Sequence, residues 1–539
     1  MSYNRFNLNK RKFHKRNFSD VIEVLIPDIY IQSDIEVSGD VVDPNLTVIN
    51  SHIDIASNIT NILPLSDPEN RVTQDNSNPV TSITLENALG TDPVIINFSR
   101  DDNGVAQIDT EGGMEFGYYG LGYVHARDMG DVSLLRYIVY SGRGLQYFDD
   151  NFPSNFVGTV NSIIPRAYKF KEDGTVDYDL IISNDPASDV FTANSLSSIA
   201  LTQHVGNMIE DAETYYNTMP NQYKRCLDLY AEGFNRAIKE HRQRLATSSL
   251  VGPTMESLGA FDFEINPVDV ILSTHWFTKN GILINNRNII KNFYNPVFDP
   301  VGEAGFDPDL PFELKSSNQW AVHGSLTDTG KPIHMIDPHL SKPIFGDYGF
   351  HLFLASIKTR NFEFFGGGPV GTLFMALGGN NKLSYSLTAN SPIHRLLYRL
   401  PVNGNFEVSS NRTTGFIAPE TKQVVIPTKN GNITRDFKYT THGLIFTVNN
   451  NTNEVVTMVN NFRGANQILQ FMEMANANTL AEFNASYGRM HSIGYNCIVA
   501  TNEEPHGNIQ YCHGGRVRKM VSETFDFRNQ ILDATNGNT

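Results

Sequence analysis

Cysteine is scarce in this chain: Cys226, Cys497 and Cys512 are the three among 539 residues. They form no Cys-x-x-Cys pair, which argues against a zinc knuckle and a disulfide framework. All three read as free core thiols; Cys497 pairing with Cys512 is the alternative if their strands align. Long apolar runs are also missing. No stretch reaches the roughly 18 apolar residues of a membrane-spanning helix, so no span is expected. Positive charge is in deficit, with 42 Lys and Arg against 58 Asp and Glu and a formal charge of −16. Such a surface repels polyphosphate and argues against nucleic acid as a partner. Neither Gly-x-Ser-x-Gly nor His-Glu-x-x-His occurs, which leaves a nucleophile-elbow hydrolase with a Ser-His-Asp triad little support and removes the zinc-protease signature. The N-terminus opens with Arg5, Lys10, Arg11, Lys12, Lys15 and Arg16 before any acid. No clear secretory apolar run follows it, because Asp20, Glu23 and Asp28 flank or interrupt Val21 to Ile31. The compartment is therefore left open.

What is present is an ordinary globular balance, 40% apolar and 19% charged, long enough for more than one structural unit. Residues 1–80 alternate in short strand-like runs broken by Asp, Asn, Ser and Pro. They read as a poorly ordered extension or a small β element. Asn97 to Ile108 places an Asn-Gly turn between strand-like runs, the signature of a tight hairpin. Met129, Val132, Leu135 and Ile138 recur at helical spacing, with Gly142 and Gly144 as a stop. A second helix is predicted from Tyr223 to about Arg244, its stripe being Cys226, Leu227, Tyr230, Phe234, Ala237 and Ile238. Residues 287–316 are rich in Asn, Pro, Asp and Gly and read as an exposed loop. Strands dominate after Trp320, with candidates at 320–323, 333–336, 383–388, 423–426, 444–448 and 496–500.

Four segments follow in a fixed order. The first is Ser316-Ser317-Asn318-Gln319-Trp320. The second is Asp337-Pro338-His339-Leu340, with His339 standing 22 residues after Ser317. The third is Gly378-Gly379-Asn380, continued by a strand to Thr388-Ala389-Asn390. The fourth is Asn496 to Ala500, then Gly507-Asn508-Ile509-Gln510-Tyr511 and the arginines Arg516 and Arg518. Together with Gly117 to Asp128, Arg136 to Arg143 and Tyr230 to Ala237, these segments resemble the penicillin acylase family of N-terminal-nucleophile hydrolases. The motifs are most similar to its cephalosporin and acyl-homoserine lactone acylase branch. The resemblance covers roughly residues 94 to 520.

That resemblance implies an α+β fold, the four-layer αββα sandwich. It divides the chain into an extension (1–80), an alpha-chain-like region (81–286), a spacer (287–316) and a beta-chain-like region (317–539). It implies self-cleavage between Ser316 and Ser317, with Ser317 as the nucleophile and its new α-amine as the base. By the same resemblance His339 tunes that amine, the Ala389 N–H and the Asn496 side chain hold the oxyanion, and Arg518 is the active-site arginine, with Arg516 competing. Leu340, Phe374 and Leu377 are candidates for an apolar acyl pocket. The implied partner is a small-molecule N-acyl compound, such as a β-lactam side chain or an acyl-homoserine lactone. No cofactor is implied. The stretch from Ser391 to Leu396 lacks the carboxylates with which some relatives bind calcium, so no metal is expected there.

This copy departs from the family pattern in places. Gly379 stands for the usual His, Tyr385-Ser386 for Trp-Gly, and Ser316 for the common Gly. Relatives continue for a couple of hundred residues after the fourth motif, so the beta-chain-like region reads as truncated. Relatives are often exported. The competing reading is a catalytically silent, unprocessed relative acting as a binding or scaffold protein.

Overall fold

A computed structural model of the chain describes residues 81–86, 92–148, 169–170, 176–177, 208–247, 252–279, 317–337, 352–373, 375, 377–389, 395–449, 452–460, 466–491, 495–514 and 531–535. The chain divides into two units, Met1–Pro79 and Val80–Thr539, and all described residues belong to the second. The N-terminal extension and the spacer 287–316 lie outside the described residues.

The hairpin expected near Asn103 joins β2 (Val94–Arg100) to β3 (Ala106–Thr110), with β1 (Ser82–Leu85) pairing along the far side of β2. After it the chain enters α1 (Met114–Tyr140), a helix buried on nearly every side and kinked at Met129. A helix apolar all round belongs in an interior, and α1 is the axis of the main core. It ends where expected: Gly142 adopts φ of +77° just past the last turn, a conformation that favours glycine. The second helix, α2 (Asn221–Glu240), buries its whole predicted stripe.

The two helices nearly touch backbone to backbone. A β-carbon on Gly122 would lie 2.1 Å from the Tyr230 carbonyl oxygen, and one on Gly233 would lie 2.2 Å from that of Tyr119. Neither neighbour is a flexible side chain, so the helices would have to separate. Gly122→Ala is therefore expected to destabilise the protein by about 1–3 kcal/mol through overpacking. The check is a lowered thermal or denaturant midpoint; an unchanged midpoint would refute this close approach.

Shorter helical segments lie around α2, among them Met208–Thr218, Arg242–Ala246, Gly252–Ser257 and Pro267–Lys279, and the main elements after them are mostly strands. They are β4 (Asn318–Val322), β5 (Ile333–Asp337), β6 (Leu352–Lys358), β7 (Glu363–Pro369), β8 (Leu377–Gly379), β9 (Leu383–Ala389), β10 (Arg395–Pro401), β11 (Glu420–Thr428), β12 (Gly431–Thr440), β13 (Gly443–Asn449) and β14 (Glu454–Asn460). Helices α3 (Gln467–Asn476) and α4 (Leu480–Tyr487) follow, then β15 (Tyr495–Thr501), β16 (Ile509–His513) and β17 (Ile531–Asp533). A nine-stranded sheet has the order β1-β2-β3-β6-β7-β8-β9-β15-β16, antiparallel except between β3 and β6. A six-stranded sheet, β11-β12-β13-β14-β10-β17, carries a second small core around Tyr398, Ile445 and Val455. Strands β4 and β5 form a separate ribbon.

The alternation of β9 explains how the layers stack. Leu383, Tyr385 and Leu387 point to the helical core, while Ser384, Ser386 and Thr388 take the other face. The ribbon lies over that second face, held by side-chain hydrogen bonds. Helices, large sheet and ribbon thus stack in that order, and the fold is α+β. Cys497 and Cys512 stand directly opposite each other in β15 and β16, and both thiols are free.

Candidate active site

Ser317 is half-buried and immediately precedes β4. Its surroundings follow from the register of the ribbon on the sheet. His334, opposite Ala321 in the ribbon, meets the hydroxyls of Ser384 and Ser386 at 2.9 and 2.7 Å. Two residues back along β4, Gln319 accepts from the Ser386 hydroxyl (2.7 Å) and donates through Nε2 to Thr388 Oγ1 (3.3 Å) and the Asn496 carbonyl (3.1 Å). Each two-residue step along β4 therefore advances the contact by about 6.6 Å toward the C-terminal end of β9. The next step on the same face is Ser317, and it falls at the end of β9, where Ala389 and Asn496 lie.

Asn496 is the second residue of β15, paired with Thr388 on one side and His513 on the other. Its Oδ1 accepts from the Tyr511 hydroxyl (2.8 Å) and from His513 Nδ1 (2.9 Å). Two donors on the oxygen fix the carboxamide and turn its Nδ2 edge away from β16. Ala389 closes β9 opposite Tyr495. The Tyr495 carbonyl takes the Gly514 N–H at 2.9 Å, so Tyr495 bonds toward β16 and its pair with Ala389 is of the non-hydrogen-bonded kind. The Ala389 N–H consequently points away from β15, past Leu377 where β8 begins. Leu377 pairs with Ser386 and so occupies the ribbon face.

Among the described residues the interior of this region is polar but uncharged. Burial pushes the His334 imidazolium down to about 4, against the opposing effect of a hydrogen bond the ring donates to the Ser384 main chain, so the ring is neutral near pH 7. Ser386 and Thr388 are buried. Such a site can present a hydroxyl and oriented N–H donors to a carbonyl. Among the described residues no group of His, Cys, Asp or Glu could hold a metal ion, and no helix is long and apolar enough to cross a membrane.

The register thus sets Ser317 on the face of Gln319, toward the end of β9 at which Ala389 stands opposite Tyr495 and Asn496 opposite Thr388, while Leu377 stands opposite Ser386. Ser316, His339, Leu340, Phe374 and Arg518 lie outside the described residues, as does Arg516. Sequence reasoning missed Gln319, His334 and His513, and it gave Tyr511 no role. The signal was available in period-2 alternation, which sets Gln319 on the face of Ser317 and His513 on the face of Tyr511.

The sequence matches the penicillin amidase family over residues 96–538. Among solved structures it is similar to a thermostable penicillin G acylase from Alcaligenes faecalis, with 17% identity and a TM-score of 0.31. That likeness covers 34% of this chain and 33% of the other, so the chain spans about a third of the length of that relative.

Proposed function

The chain belongs to the penicillin amidase family, and from that premise we propose that it is an N-terminal-nucleophile amidohydrolase that hydrolyses the amide of a small N-acyl compound. Ser317 is the nucleophile. Its hydroxyl first attacks the Ser316 carbonyl of the Ser316–Ser317 peptide bond; the C–N bond breaks as the ester forms, freeing the Ser317 α-amine, and water then hydrolyses the ester to release the Ser316 carboxylate and restore the hydroxyl. An α-amine has a reference pKa of roughly 7.7–8.0, so near neutral pH a useful fraction can accept a proton. The Ser317 hydroxyl then attacks the substrate carbonyl while that amine takes its proton. The amine departs protonated, and water releases the acid from the acyl-enzyme.

The Ala389 N–H and Asn496 Nδ2 stabilise the negative charge that develops on the carbonyl oxygen. Leu377, with Leu340 and Phe374, contacts the acyl group. His339 tunes the α-amine, a role that favours the cephalosporin and acyl-homoserine lactone acylase branch. Arg518 completes the site. Excision of 287–316 leaves 81–286 and 317–539 as the two working chains.

One observation supports the reading: Gln319 seats the strand that follows Ser317 on Thr388 and the Asn496 carbonyl, and Ser317 stands two residues before Gln319, on the same face of that strand. The test is a screen of N-acyl amides with acyl chains of graded length. Release of the free amine by the purified protein, lost in Ser317→Ala, supports the proposal; activity unchanged by that substitution refutes it.

Tyr511 and His513 act on this chemistry through Asn496. Tyr511→Phe combined with His513→Phe removes both donors from Oδ1 and frees the carboxamide to rotate. The expected result is a fall in kcat of about 10-fold, smaller than loss of the donor itself, with KM nearly unchanged. A steady-state comparison with one acylated amine checks it.

A further inference from the structure

Beneath the ribbon, the Gln319 contacts are the last links of a longer, directed chain of hydrogen bonds whose earlier members the catalytic reading does not use. It begins at His334 in β5 and passes through Ser386 in β9. From there it reaches Gln319 in β4 and ends on Thr388 and the carbonyl of Asn496. Its direction is fixed by proton counting. A serine hydroxyl has one proton, and that of Ser386 goes to Gln319 Oε1 (2.7 Å). The His334 Nε2 contact at 2.7 Å must therefore be donated by the ring. Nδ1 is then the acceptor, and it takes the Ser384 hydroxyl at 2.9 Å. With Oε1 committed to Ser386, Gln319 presents its amide N–H groups to Thr388 Oγ1 and to the main-chain oxygen of Asn496.

We propose that His334, Ser386 and Gln319 are positioning residues that lock the strand of the nucleophile in register with the two strands carrying the oxyanion donors. The inference rests on the amidohydrolase reading for its catalytic consequence. Its geometry explains a sequence departure: the family's glycine at the second place of Trp-Gly carries no hydroxyl, whereas Ser386 here supplies the central link. Apolar packing alone would hold the ribbon down without fixing its slide along β9. A polar chain with one allowed direction fixes that slide, because moving the ribbon by one residue strands a buried donor or acceptor.

The test compares isosteric substitutions. Gln319→Glu keeps size and the acceptor toward Ser386 but replaces the donor to the Asn496 carbonyl with a second acceptor. Expected is a fall in kcat of roughly 10²-fold, the scale of a small misplacement of reacting groups, with KM within about threefold. Self-cleavage slows in parallel. His334→Leu falls by about tenfold, and His334→Gln, which restores a donor toward Ser386, recovers most of the loss. Unchanged kcat in Gln319→Glu, or equal behaviour of His334→Leu and His334→Gln, overturns the proposal.

A second measurement is independent of activity. In ¹⁵N-histidine spectra assigned with His334→Gln, His334 is expected as the Nε2–H tautomer, losing that preference in Ser386→Ala. An Nδ1–H ring overturns the relay whether or not the protein hydrolyses amides. A wild-type protein inactive on every amide, yet with the expected tautomer, refutes the amidohydrolase reading and leaves the relay standing.

Discussion

Ser317→Ala is expected to remain a single polypeptide of 60.3 kDa and to lose amide hydrolysis by a factor on the order of 10⁴–10⁶. Both effects have one cause. On the proposed mechanism the wild-type hydroxyl makes the first cut, giving fragments of about 35 and 25 kDa by residue count, and every later attack on substrate. Alanine removes the oxygen from a half-buried position without adding volume, so folding is expected to survive and the thermal midpoint to change little. Ser317→Cys keeps a nucleophile at the same point and is expected to retain some self-cleavage. An enzyme using another serine in a triad would be indifferent to both substitutions, which separates that class of mechanism in one experiment. Denaturing gels read the processing, and amine release reads the turnover.

Asn496→Ala is expected to lower kcat by about 10²–10³, or 2.7–4 kcal/mol of transition-state stabilisation, with KM nearly unchanged. The donor matters most when charge sits on the carbonyl oxygen, so its loss appears in kcat. The donor proposed at Ala389 is its main-chain N–H, so substitution there by another small residue is expected to be nearly silent. The contrast distinguishes an oxyanion site from a structural strand pair: a structural pair would make Asn496→Ala a stability defect without a selective loss of kcat. Circular dichroism melts run beside the kinetics decide between them.

Much of the architecture could be read from the chain. The 3.6-residue stripe of α2 and the alternation of β9 each have a single stable placement once one face is buried. The Asn-Gly turn between β2 and β3 was legible for the same reason, because few residues accept that backbone conformation. The kink of α1 at Met129 was not legible, since no proline or glycine stands at that position. At the candidate site the sequence singles out Ser317 and Asn496, where chemistry and spacing coincide, and their roles stand as the proposal above. Gln319, His334 and His513 were not legible, because their partners are 17 to 177 positions away and only pairing of strands brings them together. Side-chain identity alone marks His334 as a polar interruption of an apolar strand. The structure shows why it is tolerated: both ring nitrogens meet hydroxyls, so burial leaves neither unsatisfied.

The most direct measurement is the mass and N-terminal sequence of the wild-type polypeptide purified under native conditions. The account predicts two chains, one of which begins Ser317-Asn318-Gln319-Trp320 and takes up a reactive ester on the Ser317 hydroxyl. A single intact chain whose residue 317 is never acylated would contradict it.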